Sequence, residues 1–178
     1  MKKLMAIALV GALSAPLSAR AVIDPYLGMS VGQGNAHFTG GLDGNSYTSL
    51  GAQAGIKFPF VRGEVEYNRL FQGDISAGVG FINFYLEPFM FIPVISPYIG
   101  GGVGRLFDAK IGDAKLNSNS AFQGMLGTGI TFPGFPMRFD AELRGAFTGN
   151  LTPNDSEVVT KSVYMGLFEI RVKGAYVF

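Results

Sequence analysis

Charged residues recur at every second position in two short stretches of this chain. The stretch 138–144 reads Arg-Phe-Asp-Ala-Glu-Leu-Arg, and the stretch 62–66 reads Arg-Gly-Glu-Val-Glu. Two nearby carboxyl groups can act as the acid and the base of a hydrolytic reaction. Here each pair of acids has an arginine beside it, and opposite charges at such spacing favour ion pairs. We therefore predict that these carboxylates are structural and not catalytic.

His37, the single histidine, stands near Thr39 and Asp43. A histidine with a hydroxyl and an acid can activate a nucleophile. Nothing in the sequence marks a hydroxyl within reach of His37, so we interpret it as a solvated residue of an outer loop. The chain has no cysteine, which excludes a thiolate metal site. We expect no catalytic residues, no metal and no cofactor.

The stretch 97–104, "PYIGGGVG", contains four glycines, which could indicate a phosphate-binding loop. That motif needs a following helix and a lysine with Ser or Thr, and none stands here. Read with a period of two, Gly100, Gly102 and Gly104 share one face and Ile99 and Val103 the other. The run is therefore predicted to be a strand.

The elements that carry these residues are strands with alternating character. In 137–147 the apolar residues and the charged residues occupy opposite faces, and 61–71, 47–58 and 169–178 repeat this pattern. Weaker alternation occurs in 25–34, 76–88, 97–109 and 121–132, with a slip at 77–80 that indicates a bulge. Eight segments of this length fit a small barrel, because a membrane strand needs about 9–11 residues.

Composition and the first residues narrow the class of protein. Residues 1–21 have a basic start, an apolar core and a small-x-small end, the pattern of a cleaved secretory signal peptide. The rest, 22–178, is interpreted as one domain. Hydrophobic residues make up 48% of the chain and charged residues 15%, and no apolar helix interrupts the pattern. In lipid, only helices and closed barrels give every backbone N–H and C=O group a hydrogen-bond partner. An exported apolar chain without such a helix is therefore expected to form a barrel. The near-neutral charge argues against a nucleic-acid partner.

The predicted class is all-β: an eight-stranded antiparallel up-and-down transmembrane β-barrel. Connections at 58–60 and 133–136 are short, whereas 35–46, 108–120 and 149–160 are polar and long, so the long loops should face outward. Phenylalanines near the strand ends should form the interfacial girdles, namely Phe58, Phe60, Phe71, Phe132, Phe135 and Phe147. A soluble barrel with an apolar interior stays open as the alternative, because alternation alone does not settle which face is inside.

The chain resembles the small outer-membrane barrels of Gram-negative bacteria, the OmpA-barrel, OmpX and opacity-protein group. The stretches 97–104 and 138–144 and the C-terminal Tyr176-Val177-Phe178 carry this resemblance. It implies that Tyr176 and Phe178 belong to the signal read by the barrel-assembly machinery. It also implies a location in the bacterial outer membrane, in contact with its lipid and lipopolysaccharide. No catalytic residues carry over from this family, and we expect a monomer.

Six basic and six acidic residues fall on the predicted inner face: Lys57, Arg62, Glu64, Glu66, Glu87, Arg138, Asp140, Glu142, Arg144, Glu169, Arg171 and Lys173. Charges inside so narrow a barrel persist only when they are paired. This balance predicts a charge-paired plug. We expect charged chains of the third and seventh barrel strands to meet across the interior, in room left by inward glycines.

Arg69 and Arg105 fall on the lipid-facing side near the outer rim. They either contact lipopolysaccharide phosphates or extend along the surface toward water. The function favoured by the sequence is a structural or adhesive surface protein, with a possible host or cell-surface ligand at the loops. A small passive, porin-like pore is the second hypothesis, and a lipid-A-modifying enzyme is the third.

Overall fold

The computed structural model describes residues 23–38, 45–72, 75–88, 94–111, 114–115, 120–132, 134–151 and 163–178. Nine strands lie in these residues: β1 (Asp24–Phe38), β2 (Asn45–Phe58), β3 (Val61–Gln72), β4 (Ile75–Leu86), β5 (Ile95–Ile111), β6 (Ala114–Lys115), β7 (Ser120–Thr131), β8 (Met137–Leu151) and β9 (Val163–Val177). Across the same residues no helix has the length and apolarity needed to cross a membrane. Residues 1–21, interpreted above as a signal peptide, lie outside the described part.

Eight of the strands close into a ring. Strands β1 to β5 pair in chain order, followed by β7, β8 and β9, and β9 pairs with β1. Every pairing is antiparallel. The two-residue β6 pairs only with the end of β5, through Lys110 and Ile111. The predicted eight-stranded antiparallel up-and-down barrel is confirmed, with β6 as a small addition outside the wall.

The face that carries the alternating charged residues of β3, β8 and β9 points into the barrel. Glu66 and Arg171 are 1% exposed, whereas Phe84 and Phe147 on the alternate face are 64% and 68% exposed. This facing excludes the soluble alternative, in which the apolar face would be inside. The predicted girdle phenylalanines all lie on the outer surface.

A bulge lies beside the slip in the alternation of β4, as predicted, but it is a bulge of the neighbouring strand β5. The register with β5 shifts between Ser76 and Gly78. Below the bulge, Phe81, Asn83 and Tyr85 point inward while Ile82 and Phe84 point outward. The extra residue belongs to β5, where two residues between Phe107 and Lys110 face one residue of β4, and β4 keeps an unbroken register with β3. The alternation of β4 weakens because Ala77 and Val79, which share the inward face of Phe81, are themselves apolar.

Several strands extend further than the sequence predicted. The stretches 35–46, 108–120 and 149–160 were assigned to loops, but β1 runs to Phe38, β5 to Ile111 and β8 to Leu151. Antiparallel pairing continues there although the apolar-polar alternation has stopped, for example between His37 and Gly166. The loop position predicted for His37 is therefore wrong: it is an exposed residue of β1.

The barrel has two different ends. At one end, here the turn end, Pro59 and Phe60 join β2 to β3, and both termini of the described chain lie nearby, where Phe178 N donates to Pro25 O at 3.0 Å. Phe60 has a φ of 66°, uncommon for a bulky residue. Its carbonyl accepts from Glu87 N at 2.8 Å, which ties the turn to the chain leaving β4. The opposite end, where β1, β3, β5 and β8 finish, is the loop end.

Candidate functional site

The lumen at the turn end holds a cluster of two acids and three bases. Glu87 lies 2.9 Å from Lys57 Nζ and 2.9 Å from Arg138 Nη2, with Arg62 Nε at 3.4 Å. Asp140 lies 3.2 Å from Arg62 Nη1 and 2.9 Å from Arg138 Nε. Glu87 immediately follows the last residue of β4. Burial raises the pKa of Glu87, but Arg138, Arg62 and Lys57 lower it more, so that its pKa lies below the ordinary value.

The middle of the lumen contains one amine between two acids. Lys173 Nζ lies 3.1 Å from Glu64 Oε1 and 3.2 Å from Glu142 Oε2. Its Nζ also donates to the Tyr85 hydroxyl at 2.9 Å. The lysine is fully enclosed, and these three partners compensate for the loss of its hydration.

The third cluster centres on Glu66 of β3. Its carboxylate pairs with Arg144 of β8 at 2.9 Å and with Arg171 of β9. Each arginine has a second acid on its own strand: Glu142 at 2.7 Å for Arg144 and Glu169 at 2.5 Å for Arg171. Strands β3 and β8 stand on opposite sides of the ring, so these contacts span the lumen. The structure places all twelve residues predicted for the inner face in ion pairs, with eleven buried and Lys57 partly exposed.

Four tyrosines that the sequence analysis did not assign complete this network. Tyr26 and Tyr85 donate to Glu64 at 2.8 Å each, Tyr98 donates to Glu142 at 3.0 Å, and Tyr47 donates to Glu169 at 3.0 Å. Tyr47 and Tyr85 lie on the same parity as Lys57 and Glu87, respectively, and Tyr26 and Tyr98 lie on the parity of the inward glycines of their strands, which is the signal that could have revealed them. A phenol fills apolar volume and still satisfies a carboxylate oxygen, which suits a closed interior.

Arg62 is held by aromatic rings as well as by acids. Its guanidinium carbon lies 4.0 Å from the centre of the Tyr85 ring and 4.8 Å from that of Tyr98. The two rings meet edge to face at 5.3 Å. Cation–π contacts are strongest when water is excluded, and Arg62 is 1% exposed. Arg62 is therefore packed against two aromatic rings at the turn end of the lumen.

Toward the loop end the interior becomes apolar. A layer of buried side chains packs together there: Ala77, Val79, Phe81, Leu106, Ala121 and Met165, with Leu70 and Leu167 against them. We call this set the apolar layer. Between it and the Glu66 cluster lies a cavity of about 20 Å³, which holds about one water molecule. Asn68 Nδ2 and Gln123 Oε1 face this cavity without a hydrogen-bond partner among the described residues.

The inward glycines of β5 serve different neighbours from those predicted. A Cβ atom on Gly100, Gly102 or Gly104 would collide with Tyr85, Asn83 or Phe81, respectively. Each of these residues is the direct partner of its glycine in the β4–β5 register. The expectation that this wall leaves room for the charged chains of the third and seventh barrel strands is wrong for β5. The reason is local: a large inward side chain leans over the Cα of the adjacent strand before it reaches across the lumen.

The remaining predicted positions lie at the surface and at the C-terminus. Arg69 and Arg105 both lie on the outer face, Arg69 between Tyr67 and Phe71, and Arg105 between Val103 and Phe107. Tyr176 also faces outward, and its ring centre lies 5.1 Å from that of Phe178.

Comparison with known proteins gives a likeness of fold. No family model and no curated protein matches the chain. The solved structure of Neisserial surface protein A matches with a TM-score of 0.64 and 17% identity over 84% of this chain and 95% of that one. Ail, the attachment invasion locus protein of Yersinia pestis, covers 87% of this chain and 98% of its own at 11% identity, with a TM-score of 0.31, too low to support an argument. The chain thus has the fold of the small eight-stranded outer-membrane β-barrels.

Proposed function

We propose that this chain is an integral outer-membrane surface protein whose barrel is closed by a charge-paired plug and does not conduct ions. The observation that carries the proposal is the arrangement of side chains in the lumen, where twelve charged groups pair in three clusters below the apolar layer. An ion would have to break several ion pairs and lose its own hydration beside Phe81 and Leu106. The interior of an eight-stranded barrel is just wide enough for side chains to fill it.

Planar-bilayer recordings test the plug against the passive pore. A mobility difference between heated and unheated samples on a gel first shows that the wild-type protein is folded and inserted. This protein is then expected to give no discrete conductance steps. Gly104→Leu in the lumen and Gly124→Leu on the outer face distinguish conduction through the lumen from leakage along the wall. Conductance steps in the wild type would establish the pore instead if Gly104→Leu abolished them and Gly124→Leu preserved them.

The surface role follows from the apolar outer wall and the extended strands at the loop end. Neisserial surface protein A is by its name a surface protein, which agrees with this proposal. Strands β5 and β8 extend to Ile111 and Leu151 at the loop end. We propose that the segments connecting the strands at this end contact a host or cell-surface ligand, or that the barrel has a purely structural role in the membrane. Binding of the folded protein in lipid nanodiscs to extracellular matrix or whole cells distinguishes the two. Saturable binding that disappears after a protease has trimmed the loops would support adhesion. Binding no stronger than that of empty nanodiscs would contradict it.

A further inference from the structure

The small cavity between the apolar layer and the Glu66 cluster has a wall of mixed character. Phe81 and Leu167, which belong to the apolar layer, form one part of this wall. Arg144 and Glu169, which belong to the ion-paired network, form another part. The cavity has a volume of about 20 Å³, which is enough for one water molecule.

Two amide side chains of the cavity wall each have one polar atom without a partner. Asn68 and Gln123 are 1% and 6% exposed. Asn68 Nδ2 and Gln123 Oε1 make no hydrogen bond among the described residues. Buried amide groups of native proteins almost always have a partner, which is either another protein group or an ordered water molecule. Two such atoms on residues of one cavity wall therefore indicate a bound molecule.

The other contacts of these amides show which end of each one lacks a partner. Asn68 Oδ1 accepts a hydrogen bond from Arg171 Nη1 at 2.6 Å, and a guanidinium group can only donate. Gln123 Nε2 donates to Asn83 Oδ1 at 2.6 Å. Asn83 Nδ2 donates in turn to Glu66 Oε2 at 2.7 Å, and a carboxylate can only accept. The two unpartnered atoms are therefore a donor on Asn68 and an acceptor on Gln123.

We propose that the cavity binds one water molecule, which accepts a hydrogen bond from Asn68 Nδ2 and donates one to Gln123 Oε1. Water fits this pair because it both donates and accepts. The guanidinium groups of Arg144 and Arg171 in the wall disfavour a cation, and the carboxylate of Glu169 disfavours an anion. The water joins β3 to β7 at the border between the polar and the apolar part of the lumen. This inference rests on the closed lumen of the proposed function and adds a specific internal site to it.

Solution NMR of the protein in lipid nanodiscs, with the asparagine side chains labelled with ¹⁵N, tests the site. The Asn68 Nδ2 protons are expected to give cross peaks at the water frequency with opposite signs in NOE and ROE spectra. Opposite signs indicate dipolar contact, whereas chemical exchange gives equal signs. Absence of these cross peaks from the wild type would overturn the inference.

A matched pair of variants separates a bound water molecule from a nearby hydroxyl proton. Ala146 lines the cavity, so the added methyl groups of Ala146→Val should displace the water and abolish the cross peaks. Ala77 lies in the apolar layer and does not line the cavity, so Ala77→Val should preserve them. The Ser30 and Ser49 hydroxyls, which contact Arg171, are unchanged in both variants. Cross peaks that persisted in folded Ala146→Val would come from a hydroxyl and would overturn the inference.

A crystal structure of the wild type decides the question if Ala146→Val does not show the gel shift of a folded barrel. Density for one water molecule about 2.7–3.2 Å from both Asn68 Nδ2 and Gln123 Oε1 is expected, and a cavity without density would overturn the inference. Conductance steps of the wild type in planar bilayers would contradict the proposed function. Missing cross peaks in a protein that gives no steps would contradict the water site alone, so the two failures are distinguishable.

Discussion

Arg144 Nη2 lies 2.9 Å from Glu66 Oε2, and this contact joins two strands that stand on opposite sides of the barrel. Glu66 also pairs with Arg171 and accepts from Asn83 Nδ2 at 2.7 Å. One carboxylate therefore links β3 to β4, β8 and β9. Such a group stabilises a barrel differently from the wall hydrogen bonds, because it fixes the distance across the ring.

Replacing Glu66 with leucine should destabilise the barrel strongly. The change leaves Arg144 and Arg171 buried with one acid each, and removing one member of a buried ion pair costs about 3–5 kcal/mol. Urea unfolding in phosphatidylcholine vesicles, followed by the heat-dependent gel mobility, measures this loss. The charge-balanced variant Glu66→Leu/Arg144→Leu should recover part of it. A loss below about 1 kcal/mol for the single change would show that the network is not a stabilising element.

The sequence was sufficient to predict which residues of each strand share a face, although alternation alone did not settle which of the two faces is inside. Glu64, Asp140 and Arg171 all proved to lie in the lumen because a period of two assigns every residue of a strand once a few are known. Alternation could not show which residues meet across the lumen. The contact between Arg62 and Asp140 joins residues 78 positions apart, and it depends on the stagger of the closed ring.

Glycine roles and strand ends were the parts that the sequence could not supply. Gly102 lies on the inward face, so the room left by its missing side chain was expected to serve the charged residues across the lumen. The register instead places Gly102 opposite Asn83, which occupies that room. His37 was assigned to a loop because the apolar-polar alternation ends before it, yet hydrogen bonding to β9 continues. Outside the lipid a strand needs no apolar face, and the periodic signal vanishes while the strand persists.

Gly102→Leu should destabilise the barrel by overpacking. A Cβ atom at this position meets the Asn83 carboxamide, which links Gln123 to Glu64 and Glu66. Overpacking a filled interior costs about 1–3 kcal/mol, and disturbed hydrogen bonds add to that cost. Gly124→Leu on the adjacent strand is the control, since its Cβ would meet nothing within 4 Å. An unchanged gel shift and unfolding midpoint for Gly102→Leu would contradict the prediction.

His37→Ala should leave lipid A unaltered. His37 is exposed on β1, and no hydrogen bond joins it to a serine or a carboxylate in the described residues. A lone solvated imidazole lacks the partners that activate a nucleophile. Mass spectrometry of lipid A from cells with the wild type, with the variant and without the protein provides the comparison. A gain or loss of an acyl chain that requires His37 would support the lipid-A-modifying enzyme.

Glu87 should make part of the barrel stability dependent on pH. Its pKa is lowered in the folded state, since the three neighbouring bases outweigh the effect of burial, and its ordinary value is about 4.3. A group with a lowered folded pKa adds stability that is complete above the unfolded pKa and is lost as the pH falls through the folded pKa. Glu87→Gln should therefore destabilise the protein at pH 7, and the difference from the wild type should shrink below about pH 4.

Urea midpoints between pH 7 and pH 3 measure this difference, with Thr148→Val as the non-titrating control. The Thr148 hydroxyl donates to Met165 O at 3.5 Å, in a part of the lumen away from Glu87, so its cost should not change with pH. The other carboxyl groups contribute to both proteins and cancel in the comparison. A Glu87→Gln difference that stays constant from pH 7 to pH 3 would mean that Glu87 is not held ionised by Arg62, Arg138 and Lys57. The carboxyl group of Glu87 would then be neutralised by a proton instead of by ion pairs, and the stability of the turn end would have to be attributed to the aromatic rings around Arg62.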